Sequence, residues 1–148
     1  MVHVKSRVDP TPVPVSLVEG AAGAALAHQL ANGDLTIVLS DDPQLRELNR
    51  KYLGIDASTD VLSFQAGETD PDSGAAYLGD VIISVPRAEA QARAADHPIA
   101  SELQLLVVHG VLHLLGHDHA EPQDRSRMWT AQAEILRQLG LPDIVIPE

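Results

Sequence analysis

A chain of 148 residues with 45% hydrophobic and 21% charged side chains has the composition of one folded domain, not of a disordered segment. It has no cysteine, which excludes a disulfide framework and any thiolate metal site, so a bound metal would depend on His, Asp or Glu. With 21 acidic against 10 basic side chains the net charge is −11, which argues against nucleic acid or an anionic membrane as partner, because phosphate binding draws on Lys and Arg.

The opening "MVHVKSRVDPTPVP" is broken by charge and proline and does not read as a secretory leader. The most apolar run, "LQLLVVHGVLHLLG", carries two histidines in 14 residues, too short and too polar to span a bilayer. A soluble, cytoplasmic protein is the expectation. In chain order, "VHVKSRV" alternates like a strand and "DPTPVPV" breaks it, so residues 1–15 are expected at the periphery. Ser16 and Glu19 have capping-box spacing and are expected to open an alanine-rich helix ending at Asn32-Gly33. "LTIVL", 35–39, is β-branched and reads as a buried strand. A helix follows with N-cap candidates Ser40 and Asp41, Pro43 near its start, Leu45 and Leu48 facing inward, and Gly54 as its stop.

Strands are expected at 60–64 and 77–85, joined by "QAGETDPDSGAA", a loop of turn formers. Pro86 can open a helix through Ala95, and Ser101 with Gln104 offers a second capping box for the apolar helix that ends at Gly116. Pro122 starts a last amphipathic helix with Met128, Trp129, Ile135 and Leu136 on one side, stopped by Gly140 and Pro142. Met128 and Trp129 are expected in the core. The order β-α-β-α-β-β-α-α-α implies an α+β fold: one domain over 1–148, a mixed sheet packed with about five helices.

Four of the seven histidines fall in "HGVLHLLGHDH", 109–119. Residues four apart share a helix face, so His109 and His113 would aim their rings at one point, as two ligands of one metal must. Gly116 can end the helix in the left-handed conformation and let the chain turn back. In an extended segment His117 and His119 point the same way, so either can supply a third ligand. The spacing of His109, His113, Gly116 and His119 is similar to the skeleton of the metzincin zinc proteases, which favours His119 and leaves His117 as a neighbour or substrate contact. Imidazole suits zinc and other first-row divalent ions, and three protein ligands leave a position for a metal-bound water as nucleophile. Asp118 is the candidate proton acceptor beside it. Zinc proteases carry a glutamate immediately after the first histidine, and here that position is Gly110.

"HGVLHLLGHDH" resembles the signature of the YbeY family of bacterial endoribonucleases. "LNRKYLGIDASTDVLSF", 48–64, and "LGDVIIS", 78–84, resemble two further blocks of that family in the same order and spacing, over roughly residues 35–140. The resemblance implies a single-strand-specific, metal-dependent endoribonuclease that matures the 3′ end of the small-subunit ribosomal RNA. It implies one zinc per chain on His109, His113 and His119, with ribosomal RNA and the small ribosomal subunit as partners. The +2 charge of such an ion would set a cationic centre within an acidic protein.

One position departs from the family pattern. Where the family usually reads Tyr-Arg-Gly, this chain reads Tyr52-Leu53-Gly54, so a phosphate contact is absent or moved. Arg50 and Lys51 are the candidate substitutes, in a basic cluster with Arg46. Gln65 stands where the family tends to have proline. Thr59, Asp60, Ser63 and Asp80 are candidates to line a cleft. Two other functions fit the same histidines: a zinc peptidase or small-molecule hydrolase, and a non-enzymatic ribosome-assembly factor whose zinc, with His117 as fourth ligand, only holds the turn.

Overall fold

The computed structural model describes residues 1–69, 74, 76–118 and 120–141. In chain order the elements are β1 (Val2–Ser6), α1 (Val15–His28), β2 (Asp34–Ser40), α2 (Asp42–Leu53), β3 (Val61–Thr69), β4 (Ala76–Ser84), α3 (Val85–Ala95), α4 (Ile99–Leu114) and α5 (Pro122–Gln138). The strands form one mixed sheet in the order β1-β2-β4-β3. β1, β2 and β4 run parallel, and β3 returns antiparallel on β4. This is the expected α+β domain, with the expected order of elements.

Alternation along the strands sorts the sheet into two unequal faces. Leu35, Ile37 and Leu39 of β2 and Val81 and Ile83 of β4 are fully buried, in one cluster with Ala21 and Ala25 of α1, Leu106 and Val107 of α4, and Met128 and Ile135 of α5. Each such Leu or Ile is worth roughly 1.5–3 kcal/mol relative to exposure. On the opposite face Leu62 and Ile82 pack with Leu45 of α2 in a much smaller cluster. Residues 1–15 supply the edge strand, pairing Val2 with Leu35 and Val4 with Ile37, and bury Val13. Helix α4 is the central helix. From Leu105 to Leu114 every residue is buried except His109 and His113, which are half-buried.

Local chemistry sets most boundaries. Asp41 caps α2 by accepting from Gln44 N at 3.1 Å, and Ser84 caps α3 by accepting from Arg87 N at 3.4 Å. Neither expected capping box forms. α1 and α4 start directly after Pro14 and Pro98, whose extended backbones (ψ 140° and 150°) serve as N-caps without a side-chain bond, so Ser16 and Ser101 fall inside the first turn. α1 also stops at His28, short of Asn32-Gly33. Leu30 takes a positive φ of 53°, and Ala31 N bonds back to Leu26 O at 2.9 Å. β3 runs beyond the expected residue 64 to Thr69, because pairing of Glu68 with Tyr77 and Thr69 with Ala76 carries it into the turn-forming stretch. Pro142, the expected stop after α5, lies outside the described residues. Among the described residues no helix is long and apolar enough to cross a membrane.

Candidate metal centre

His109 and His113 sit one turn apart on α4 with ring centroids 4.7 Å apart and Nε2 atoms 3.1 Å apart. The far side of each ring is anchored. His109 Nδ1 lies 2.9 Å from Gln132 Oε1 of α5, and His113 Nδ1 lies 2.9 Å from the backbone oxygen of His117. Both partners are acceptors, so Nδ1 carries the hydrogen in each neutral ring and Nε2 keeps its lone pair. Two lone pairs at 3.1 Å repel unless they share a cation. The donor set therefore fits a metal that accepts imidazole nitrogen. The reverse orientation of the Gln132 carboxamide would let His109 donate from Nε2 to His113; the orientation present is the metal-compatible one. It leaves the buried Gln132 Nε2 without a hydrogen-bond partner among the described residues.

The helix C-terminus turns as the glycine predicts. Gly116 has φ 96°, and His117 N bonds to Leu112 O at 3.0 Å, which returns the chain toward the helix. His117 points its Nε2 at Gln29 Oε1, 2.7 Å away at the end of α1. Gln29 Nε2 in turn meets His28 Nδ1 at 2.9 Å, and His28 Nε2 meets Glu134 of α5 at 2.6 Å. Burial, followed by the charges of His28 and Arg127, holds the His117 imidazole below its ordinary pKa. Asp118 accepts from Ala120 N at 3.3 Å, so it is at least a turn-forming aspartate. His119, the expected third ligand, lies outside the described residues. Among the described residues no cluster of three or more His, Asp or Glu is placed to hold a metal.

The histidine pair opens on a cleft of about 530 Å³, lined also by Leu53, Thr59, Asp60, Ser63, Gln65, His117 and Asp118. Ser63 Oγ donates to Gly110 O at 2.8 Å, locking β3 to the helix between the two histidines. So close an approach needs glycine at position 110: a methyl group there would stand 2.5 Å from Val81 Cγ1 and 3.2 Å from Val61 Cγ2. The glutamate of a zinc protease has no room at this position. Gln65 Nε2 donates to Leu114 O at 3.2 Å, satisfying a carbonyl at the end of α4. Asp60 accepts from Val61 N at 2.8 Å and from Gln91 Nε2 at 3.4 Å.

Other candidates fall elsewhere. Leu53 lies in the histidine cleft, but Arg50, one turn earlier, lines a neighbouring cleft with Arg46 and pairs with Glu47 at 2.6 Å. Lys51 Nζ stands 5.2 Å from the ring centre of Tyr52. Asp80 is not among the residues that line the histidine cleft; it accepts from the Tyr77 hydroxyl. Met128 is core as expected, whereas half-buried Trp129 packs edge-on against His109, 5.9 Å between ring centres. The sequence reading passed over Gln132, Gln29 and His28. Gln132 had a signal, a polar residue four after Met128 and four before Leu136 on an apolar stripe. Gln29 had none, since its partner is 88 residues away.

Fold and site together define a small α+β domain with an anchored imidazole pair at the edge of a cleft. The family model described as endoribonuclease YbeY matches residues 16–140. The endoribonuclease YbeY of Chloroflexus aurantiacus is 47% identical over 135 residues, covering 85% of this chain and 87% of that one. That of Moorella thermoacetica is 45% identical over 127 residues, 81% of each chain, and that of Brevibacillus brevis 39% over 130 residues, 80% and 82%. This chain belongs to the endoribonuclease YbeY family. The solution structure of TM1509 from Thermotoga maritima shares the fold, with a TM-score of 0.59 at 20% identity over 99% of this chain and 98% of that one.

Proposed function

We propose that the protein is a zinc-dependent, single-strand-specific endoribonuclease of the cytoplasm. Its substrate in this reading is ribosomal RNA on the small ribosomal subunit, where it matures the 3′ end of the small-subunit ribosomal RNA and serves ribosome quality control. The observation that carries the reading is the pair of Nε2 atoms 3.1 Å apart, each ring held at Nδ1 by an acceptor, in a chain of this family.

His109, His113 and His119 would hold one zinc per chain. Bound there, zinc would supply Lewis acidity toward a phosphoryl oxygen and toward water. The chain's own residues shape what reaches it. Ser63 and Asp60 are committed to Gly110 O and to Val61 N with Gln91, so they form a fixed wall and are poor proton carriers. Asp118, in the same cleft, is the carboxylate proposed to accept a proton. Because Leu53 is uncharged, Arg50 from the neighbouring cleft and Lys51 are proposed to meet flanking phosphates of the strand, with His117 contacting substrate from the turn. Crowding at Gly110 counts against the peptidase alternative, since the general base of that mechanism does not fit.

The test is cleavage of a single-stranded fragment from the 3′ end of small-subunit ribosomal RNA by zinc-loaded protein, chelator-stripped protein and His113→Ala, purified identically. Cleavage by the zinc-loaded wild type alone is expected. Absence of cleavage with zinc bound would overturn the reading. Arg50→Ala is expected to cut the rate about 10–100-fold, the equivalent of one charge-assisted hydrogen bond, and an unchanged rate would remove Arg50 from the site.

A further inference from the structure

The sheet face that α2 covers only in part holds a recess of about 510 Å³ next to the histidine cleft. Val38 and Ile82, from neighbouring strands, line it with apolar surface. Tyr52 and Phe64 add two rings, centroids 5.4 Å apart at an interplanar angle of 61°, and Tyr52 is 58% exposed. Asp80 and Gln44 bring polar atoms. The Tyr77 hydroxyl donates to Asp80 Oδ1, leaving Oδ2 as an acceptor, while Ser40 bonds Gln44 Oε1, leaving the Gln44 amide nitrogen as a donor. The Lys51 ammonium lies by the Tyr52 ring. Gln65 lines both this recess and the histidine cleft, so the two adjoin.

An aromatic ring, a carboxylate acceptor and a nearby ammonium are three groups that a nucleotide can use together. A ring gives a base a face to pack on, whatever the sequence. A carboxylate repels phosphate and accepts from an exocyclic amine. A lysine outside the apolar floor meets the phosphate that follows. We propose that this recess is a nucleobase subsite that seats one unstacked, amino-bearing base of the RNA strand whose phosphodiester enters the histidine cleft. The inference rests on the endoribonuclease reading above. It adds a requirement of its own: only a strand whose base can leave its stack fills the recess, which gives a physical ground for single-strand preference.

The test uses a short, non-cleavable single-stranded 2′-O-methyl oligonucleotide from the same ribosomal region, with binding to zinc-loaded protein read by fluorescence anisotropy. An abasic site is walked along it. Loss of the base at one position is expected to weaken binding about tenfold, within the range for stacking of one base on one ring. Tyr52→Ala should weaken the intact oligonucleotide by a similar factor and erase that positional difference, while Tyr52→Phe keeps both. Tyr52 is exposed, so its truncation leaves the core in place, and thermal unfolding of the variant checks this. Full-strength binding by Tyr52→Ala, with no sensitive abasic position, would overturn the subsite and leave the endoribonuclease reading intact. No oligonucleotide binding at any concentration would overturn both. Sedimentation showing a Tyr52-dependent dimer indifferent to RNA would also overturn it, assigning the recess to a second copy of the chain.

Discussion

The close approach of α4 to the sheet at Gly110 predicts a destabilising Gly→Ala change in the interior of a helix, where that change ordinarily stabilises. The added methyl would meet Val81 Cγ1 at 2.5 Å, inside the contact distance of about 3.5–4.0 Å for two carbons. Val81 is fully buried and β-branched, so it has no flexible end to swing away. Overpacking of this kind costs roughly 1–3 kcal/mol, against which alanine's better helix propensity returns about 1 kcal/mol. A net loss of up to about 2 kcal/mol follows, which in a domain of this size lowers Tm by up to about 8 °C. Gly23, on α1, is the control, because a methyl there meets nothing within 4 Å. Gly23→Ala should raise stability by about 0.5–1 kcal/mol. Urea midpoints and slopes for the two variants measure both signs in one experiment. A Gly110→Ala protein stabilised as much as Gly23→Ala would refute the close packing and with it the explanation for the missing glutamate.

Two further outcomes can be measured. Gln132→Leu removes the acceptor that fixes the His109 tautomer and should lower zinc affinity about 10–100-fold in a chelator competition. Stability should hold, because the change also removes a buried amide nitrogen that has no partner among the described residues; unchanged zinc affinity would show that Gln132 does not orient the ring. Glu102 is buried against His97 at 2.6 Å, and burial outweighs His97 in pushing its carboxyl above the ordinary value. A carboxyl raised in this way favours the folded state when protonated, and that contribution is lost as pH rises through the raised value. Glu102→Gln cannot ionise, so its urea midpoint should gain on wild type as pH rises above the ordinary carboxyl range, and a difference independent of pH would contradict the burial argument.

Much of the fold was legible because proline, glycine and capping residues punctuate the chain: Asp41 before α2, Gly54 after it, Pro86 at the start of α3, Gly116 after α4. The errors share a cause. Ser16 and Ser101 have the right spacing for capping boxes, but the prolines just upstream already provide extended backbone from which a helix can start, so local sequence offered two starts and geometry chose the earlier. The far half of β3 looked like a loop because its strand character comes from the partner strand, not from its own residues. At the site, the i, i+4 histidines needed only helix periodicity. The groups that hold the rings needed the tertiary fold: Gln132 of α5 meets His109, and Gln29, at the end of α1, meets His117. The crowding at Gly110 belongs to the same class, since no sequence pattern reports which strand a helix presses on.

The loop from α2 to β3 is pinned along its length. Asp42 Oδ1 accepts from Ser58 at 3.0 Å, Ser84 at 2.6 Å and Arg87 at 3.3 Å, while Asn49 Nδ2 holds Ala57 O at 2.8 Å. The Ser84 bond above all keeps the Asp42 carboxyl below its usual range. One carboxylate thereby joins a helix start, a strand end, a second helix start and the segment leading to Thr59 and Asp60. Surface loops ordinarily open with little free energy, but this one is wired into elements that open only with the core. Its slow amide hydrogens should exchange in step with those of β4, as part of one cooperative unit. That side of the histidine cleft then behaves as a fixed jaw.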